Sequence, residues 1–274
     1  MPIVADLDHV AIALEQRSLA WARYIRDLGG VWSGEGPGTG FRFSQLQFAN
    51  DMKLEVLEPH DVAVNDFLRR FIDRSGTGVH HITFKVADFD AAIDASTTAG
   101  FELVSVTRDD PNWLEAFFHP KSAAGIVVQL AKAGTDEGWD EQVAPTDLPD
   151  PVRRPASFDR LVHYVADLTA ARSLFEELLG GRPVGEGRDI SGSHVELAWP
   201  GPGRICLLQP SLGTADSQWL GSRTGRAHHL AFTVADPISV PGAVARHDND
   251  YEIEPDANFG VRLILHALAG SSRG

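Results

Sequence analysis

The chain has 274 residues, of which 43% are hydrophobic and 23% charged, a balance typical of a globular protein and not of a disordered one. Its formal net charge of −14 repels phosphate backbones and anionic lipids, and no apolar run could span a bilayer, so we expect neither nucleic acid nor a membrane as a partner. The single cysteine, Cys206, excludes an intramolecular disulfide framework and a zinc site built on several cysteines.

Hydrophobic alternation and turn residues predict the elements of the first half in chain order. Strands are expected at residues 6–14, 41–48, 53–58, 79–87, 101–106, 114–119 and 125–131. Helices are expected at 18–28, from Ser18 to a Gly-Gly stop, and at 88–98. An amphipathic stretch from Val62 to Arg74 predicts one more helix. The glycine-rich run from Gly34 to Gly40 lacks the strand-then-helix setting of a phosphate-binding loop, so we expect a flexible loop there.

The second half of the chain repeats the first. HHITFKVAD, which starts at His80, returns 148 residues later as HHLAFTVAD, with six of nine residues identical, and LDHVAIAL around His9 matches LVHYVADL around His163, 154 residues later. Residues 134–156 are rich in Pro, Asp and Gly and form a predicted linker. The sequence therefore predicts domains at 1–133 and 157–274. Each domain is expected to contain two βαβββ modules in a curved, mixed sheet, an α+β fold.

Strand alternation places one polar side chain in a largely apolar row on each of four strands of the first domain. These side chains are His9, Glu55, His81 and Gln129. If the rows line one concave face, two imidazoles, a carboxylate and an amide oxygen can hold a divalent ion. Such a mixed nitrogen and oxygen set suits zinc, nickel, cobalt, manganese or iron, and suits calcium poorly. Trp113 is expected to line the same face.

The motifs LDHVAIAL, LEVLEP, GVHHITFKVAD and FFHPKSAAGIVVQL resemble those of the vicinal oxygen chelate superfamily, the glyoxalase, bleomycin-resistance and dioxygenase group. Within it, the first domain is most similar to the methylmalonyl-CoA epimerases. The resemblance implies tandem glyoxalase-like domains and a metal cup with ligands at His9, Glu55, His81 and Gln129. The epimerases typically carry glutamine at the second ligand and glutamate at the fourth. Glu55 and Gln129 are the reverse, which preserves the total charge of the ligands.

A second departure from the epimerases concerns proton transfer. Those enzymes move a proton between two glutamates, which align with Gln129 and Gln45 of this chain. An amide does not act as a base near neutral pH, so epimerisation of methylmalonyl-CoA is not expected. Glu55 is then the cavity carboxylate expected to act in catalysis, and Gln45 and Trp113 are expected to contact the substrate.

The second domain is expected to be degenerate at the metal position. His163, Cys206 and His229 match the first three ligands, and no carboxylate or amide completes the set. Two registers remain open for the fourth position: one sets Ile264 against Gln129, and the other sets His266 against His119. We favour the second, in which the chain ends before a last strand can form. The sheet edge left exposed would invite pairing with another chain, for example in a homodimer. Glu196 matches Gln45 and leaves a carboxylate in this domain, so binding of a ligand without metal and a role as a cover for the first domain are the other two interpretations.

Two functions are compatible with these features. The first is a metal-dependent isomerase or lyase that chelates a small carbonyl or carboxylate substrate and stabilises an enolate. The second is a non-catalytic protein that binds or sequesters a small molecule in the same cup, which the amides at positions 45 and 129 favour. Ring-cleaving dioxygenase chemistry is less expected, because that branch uses two histidines and a glutamate in its second domain. The start of the chain, MPIVADLDHV, shows no signal-peptide pattern, so we expect a cytoplasmic protein.

Overall fold

The computed structural model describes residues 2–134 and 143–268, which form two eight-stranded sheets. The first sheet contains β1 (Ala5–Ala13), β2 (Val31–Gly38), β3 (Phe41–Gln47), β4 (Lys53–Pro59), β5 (Gly78–Val86), β6 (Leu103–Asp110), β7 (Trp113–Phe118) and β8 (Val127–Ala133). The second contains β9 (Ser157–Val165), β10 (Arg182–Arg188), β11 (Gly192–Ala198), β12 (Arg204–Pro210), β13 (Gly225–Val234), β14 (Val244–Ala245), β15 (Tyr251–Ile253) and β16 (Leu263–Ala267).

The two sheets have the same topology. Their strand orders are β2-β3-β4-β1-β5-β8-β7-β6 and β10-β11-β12-β9-β13-β16-β15-β14. In each sheet, two four-stranded modules meet at their first strands. Parallel pairs, such as β5 with β8 and β13 with β16, combine with antiparallel hairpins, so both sheets are mixed. The predicted α+β arrangement of paired βαβββ modules in tandem is confirmed.

Helices follow the first strand in three of the four modules. They are a 3-10 turn (Arg17–Ala20) with a π-helix (Trp21–Asp27), α2 (Phe89–Thr98), and α3 (Leu168–Arg172) with a π-helix (Ser173–Leu178). In the fourth module a short 3-10 turn, Pro237–Ser239, takes this place, and Pro241 follows closely, which lacks the N–H that a longer helix would need. The predicted extra helix is α1 (Phe67–Ser75), and its counterpart in the second half is α4 (Ala215–Leu220).

The flexible loop predicted at Gly34 to Gly40 is wrong for most of its length. Residues up to Gly38 belong to β2, which pairs antiparallel with β3. The aromatic rings of β3 lie over the glycines of β2. A Cβ on Gly36 would lie 2.9 Å from the ring of Phe43, and one on Gly38 would lie 2.2 Å from the ring of Phe41. The glycines therefore make room for neighbouring side chains within a strand.

The expectation that the second domain lacks its last strand is also wrong. β16 pairs parallel with β13 as β8 pairs with β5, with Gln129 opposite Thr83 and Ile264 opposite Ala231. Thr83 and Ala231 are equivalent positions of the HHITFKVAD and HHLAFTVAD repeats, which lie 148 residues apart. Ile264 therefore occupies the Gln129 position, and the favoured register, with His266 against His119, is wrong. Short β14 and β15 strands let the module fit into fewer residues. This strand removes the reason given for a homodimer.

The chain divides into two compact units, each with its own packing. The described part of the first comprises residues 2–9, 81–134 and 160–228, and in it the rings of Phe84 and Trp199 lie 5.0 Å apart. The second comprises residues 10–80, 143–159 and 229–268, and in it the rings of Phe48 and Phe232 lie 5.1 Å apart.

Part of the predicted linker, residues 135–142, lies outside the described residues. No helix in the described ranges is both long enough and apolar enough to cross a membrane.

Candidate functional site

Three of the four predicted ligands converge on the first sheet. His9, Glu55 and His81 are buried, and each offers one ligand atom, all of which lie within 4.8 Å of one another. They belong to β1, β4 and β5, which are adjacent in the order β4-β1-β5. The His9 and His81 rings meet edge to face, with centroids 5.8 Å apart. This is the arrangement that strand alternation predicts.

The donor set fits a transition-metal ion. Nδ1 of His9 lies 2.8 Å from Oδ2 of Asp8, whose Oδ1 lies 3.1 Å from the ammonium group of Lys85. A carboxylate at Nδ1 favours the tautomer in which Nε2 keeps its lone pair, as metal-ligating histidines require. Donors that share an ion at about 2.1 Å are at most about 4.2 Å apart. The cluster therefore needs to contract by only roughly 0.6 Å to reach that limit.

Gln129, the fourth predicted ligand, lies on β8 opposite Thr83 of β5 and is buried. Its Oε1 accepts a hydrogen bond from the Thr83 hydroxyl at 2.6 Å, and its Nε2 donates to Oε2 of Glu115 at 2.7 Å. The same oxygen of Glu115 accepts from the Trp113 indole N–H at 3.1 Å. The structure thus joins two predicted site residues, Gln129 and Trp113, to two residues outside the predicted set, Thr83 and Glu115.

Strand alternation also contains the signal for Glu115. Trp113, Glu115 and Phe117 share one side of β7, Phe117 pairs with Gln129, and the Phe117 ring lies 6.5 Å from that of His81. Glu115 also gives a physical reason for the amide at position 129. A carboxylate there would face Glu115 as a like charge, whereas the amide nitrogen donates a hydrogen bond to it.

The predicted substrate residue Gln45 lies beside the cluster. It pairs with Glu55 across β3 and β4, and its Nε2 donates to Oε1 of Glu55 at 3.2 Å. Further along the same strands the face becomes apolar and is covered by α1. That apolar group contains Ala11, Ala13, Leu57, Leu68 and Ile72. His80 packs against α1 as well, with its ring 4.7 Å from that of Phe71, and burial lowers its pKa to about 4.

The match of His163 with His9 is wrong. Asp159 of the second sheet accepts a hydrogen bond from Thr233, as Asp8 of the first sheet pairs with Lys85. These two aspartates are 151 residues apart, so the residue in register with His9 is Arg160. Glu55 and Cys206 are separated by the same 151 residues, and so are Gln45 and Glu196, which pair with them across equivalent hairpins.

His163 has a structural role instead. Its side chain is 1% exposed, and its Nε2–H donates to the backbone carbonyl of Ala124 at 2.7 Å. Burial lowers the pKa of His163 to about 4, which keeps the ring neutral near pH 7. The four positions in register with the predicted ligands hold Arg160, Cys206, His229 and Ile264. Within residues 2–134 and 143–268, only the His9 cluster groups three or more histidine, cysteine or acidic ligand atoms.

Comparison with known proteins agrees with the motifs and the fold. Residues 8–117 match the family described as the Glyoxalase/Bleomycin resistance protein/Dioxygenase superfamily. The methylmalonyl-CoA epimerase from Mycobacterium tuberculosis is 27% identical, with 49% of this chain and 91% of that chain covered and a TM-score of 0.45. No curated protein sequence matches the chain.

Two solved structures align over nearly all of the chain. A triple mutant of 4-hydroxymandelate synthase from Streptomyces coelicolor is 15% identical, with 100% of this chain and 94% of that chain covered and a TM-score of 0.64. A hypothetical protein from Staphylococcus aureus is 10% identical, with 97% and 100% covered and a TM-score of 0.61. Such likenesses show the fold alone. The family match over residues 8–117 therefore confirms the resemblance of the first half to the vicinal oxygen chelate superfamily, and over the whole chain the likeness is one of fold.

Proposed function

We propose that the protein is a metal-dependent enzyme of the isomerase or lyase type that acts on a small carbonyl or carboxylate substrate. The main support is the cluster of His9, Glu55 and His81, whose ligand atoms lie within 4.8 Å of one another. These residues, with Gln129, would hold zinc, nickel, cobalt, manganese or iron. Such an ion would supply Lewis-acid stabilisation of an enolate formed from the substrate.

The side chains around the cluster divide into an acid–base group and orienting groups. Glu55 is the proposed proton acceptor, and the hydrogen bond from Gln45 orients its carboxylate. Gln45 and Gln129 are amides and take no proton themselves near neutral pH. Glu115 fixes Gln129 and Trp113 through one oxygen, and Trp113 is the proposed wall of the substrate site.

A second candidate function is a non-catalytic protein that binds a small molecule on the same face. It is supported by the two amides, since Gln45 already donates to Glu55 and Gln129 is held between Thr83 and Glu115. We propose a cytoplasmic location for either function. The domains at 1–133 and 157–274 are likewise part of the proposal, with the metal assigned to the first.

Elemental analysis of the purified chain tests the site before any substrate is chosen. After exposure to zinc, nickel, cobalt, manganese or ferrous iron, the wild type should retain about one ion per chain. His81→Ala should retain far less, because it removes one of the two imidazoles. His247→Ala, a matched change at an exposed position, should behave as the wild type. Equal metal content in the wild type and His81→Ala would exclude the proposed ligand set.

Solvent deuterium exchange separates the enzyme from the binding protein. The assay follows exchange at the carbon next to the carbonyl in a panel of acyl-CoA thioesters and 2-oxoaldehydes. The enzyme is supported if Glu55→Gln abolishes the exchange and Glu186→Gln, a change at an exposed position, retains it. Bound metal without exchange on any member of the panel would favour the binding protein.

A further inference from the structure

The second sheet has a face with the same layout as the candidate site on the first. We define the second face as the side of β9 and β12 that carries Arg160, Val162, Tyr164, Cys206 and Leu208. One end of it is apolar and packs against Trp219 and Leu220 of α4. The other end carries Arg160. The first sheet is arranged in the same way, with α1 over its apolar end and His9 and Glu55 outside the apolar group.

The strand register places three polar side chains together on the second face. Glu196 lies directly opposite Cys206 across β11 and β12, and Cys206 lies beside Val162 of β9. Arg160 precedes Val162 by two residues, so its side chain is on the same side of the strand. The guanidinium of Arg160 lies 3.8 Å from the carboxylate of Glu196.

Arg160 retains the capacity to bind a ligand. Its contact with Glu196 is long and single, and both side chains are about a third exposed, at 31% and 29%, so the pair contributes little stability. In the part of the chain that the structure describes, no other carboxylate lies within 4 Å of this guanidinium. A guanidinium presents five donors in a planar fork that matches a carboxylate.

The position of Arg160 also argues for an anionic ligand. In register with His9, it puts a fixed positive charge where the first sheet has a candidate metal ligand. On the first face, a substrate carboxylate would need a metal ion as its positive partner. On the second face, the Arg160 side chain itself supplies that positive charge. The partial exposure of Arg160 and Glu196 shows that solvent, and hence a small solute, reaches them.

We propose that the second face is a metal-independent binding site for a small carboxylate. Arg160 binds the carboxylate group, Glu196 accepts a hydrogen bond from a hydroxyl or amino group of the ligand, and the partly exposed Cys206 and Leu208 contact its hydrocarbon part. This site is separate from the proposed catalytic function and does not depend on it.

Cys206 provides a reporter for this site. It is the only cysteine of the chain and lies between Glu196 and Val162. Burial raises the pKa of its thiol to about 11, so alkylation is slow and sensitive to access. Mass spectrometry of the full chain can therefore follow the reaction of one thiol with neutral iodoacetamide, in the presence of a chelator and with or without 3-hydroxybutyrate, a monocarboxylate that carries a hydroxyl and a methyl group. Sodium chloride at equal ionic strength serves as the reference.

The proposal predicts that 3-hydroxybutyrate slows alkylation of the metal-free wild type and that calorimetry detects its binding. Arg160→Gln should lose the protection and bind 3-hydroxybutyrate about tenfold or more weakly. Arg160→Lys, which keeps the charge without the fork, should bind with intermediate affinity and remains informative if the glutamine variant fails to fold. Arg188→Gln, at an exposed position of β10, should match the wild type.

His81→Ala distinguishes this site from the first face, because it should leave 3-hydroxybutyrate binding unchanged. Two results would overturn the proposal. One is the absence of 3-hydroxybutyrate binding and of protection in the metal-free wild type. The other is an affinity for 3-hydroxybutyrate in Arg160→Gln or Arg160→Lys equal to that of the wild type.

Discussion

Replacing His163 should make the stability of the protein less sensitive to acid. The ring is buried, and burial lowers its pKa to about 4, from a value near 6.5 in an unfolded chain. Well above pH 6.5, His163 is neutral in both states and has no effect on the pH dependence. As the pH falls from 6.5 towards 4, the unfolded chain gains a proton that the folded chain does not, so the free energy of unfolding decreases.

The size of the effect follows from the two pKa values. A difference of about 2.5 units corresponds to at most about 3.4 kcal/mol, reached below pH 4. At pH 5, the unfolded histidine is almost fully protonated and the folded one is mostly neutral, which gives a loss of about 2 kcal/mol relative to pH 7. At 1% exposure, the ring is too deeply buried for solvent screening to reduce this value much.

Urea unfolding at pH 7 and pH 5, with a chelator present, measures this loss. His163→Gln keeps an N–H donor for the carbonyl of Ala124 but cannot titrate, so its stability should fall by about 2 kcal/mol less than that of the wild type. His247→Gln, at an exposed position, is the matched control and should follow the wild type. Equal losses in the wild type and His163→Gln would refute the assignment of His163 as a buried neutral donor.

Two further substitutions test close contacts. Gly225→Ala should lower stability by about 3 kcal/mol in thermal unfolding, because its Cβ would lie 1.9 Å from the carbonyl oxygen of Ala124, whereas Gly185→Ala, with no atom nearer than 4.0 Å, should change it little. Gln129→Glu should destabilise the metal-free chain by about 1–3 kcal/mol, since it removes the donor to Glu115, and adding Glu115→Gln should recover most of that loss by reversing the hydrogen bond. A double variant no more stable than Gln129→Glu would argue against this contact.

Most strands could be predicted because alternation with period two is a local property of the sequence. β1, β4 and β5 have uninterrupted apolar rows, and each lies within a residue or so of its predicted position. β2 lacks such a row, since its glycines are accommodated by rings on β3, and this contact between strands leaves no periodic signal in β2 itself. The helix predicted at 18–28 is mostly a π-helix, a distinction that side-chain spacing does not encode.

The candidate site, like the strands, could be predicted only where the signal is local to one strand. Alternation puts His9, Glu55 and His81 on definite sides of their strands, but His81 shares its side with Thr83 and Lys85, so the family motifs are also needed to select these three. The partners of Gln129 depend on the register of β7 and β5 against β8, which the sequence leaves open. The match of His163 with His9 fails for a related reason: it rests on residue identity, whereas strand pairing gives a spacing of 151 residues between equivalent positions of these two modules.

Different residues at equivalent positions allow the two halves to carry different chemistry on one fold. On the first face, two imidazoles and the Glu55 carboxylate form a donor set of the kind that a divalent cation favours. On the second, Arg160 supplies a positive charge from the chain itself, and Ile264 removes the fourth donor. A chelator should therefore have opposite consequences at the two faces: it removes whatever the first binds through a metal and leaves carboxylate binding at the second intact. Loss of both activities on chelation would mean that the second face also depends on an ion.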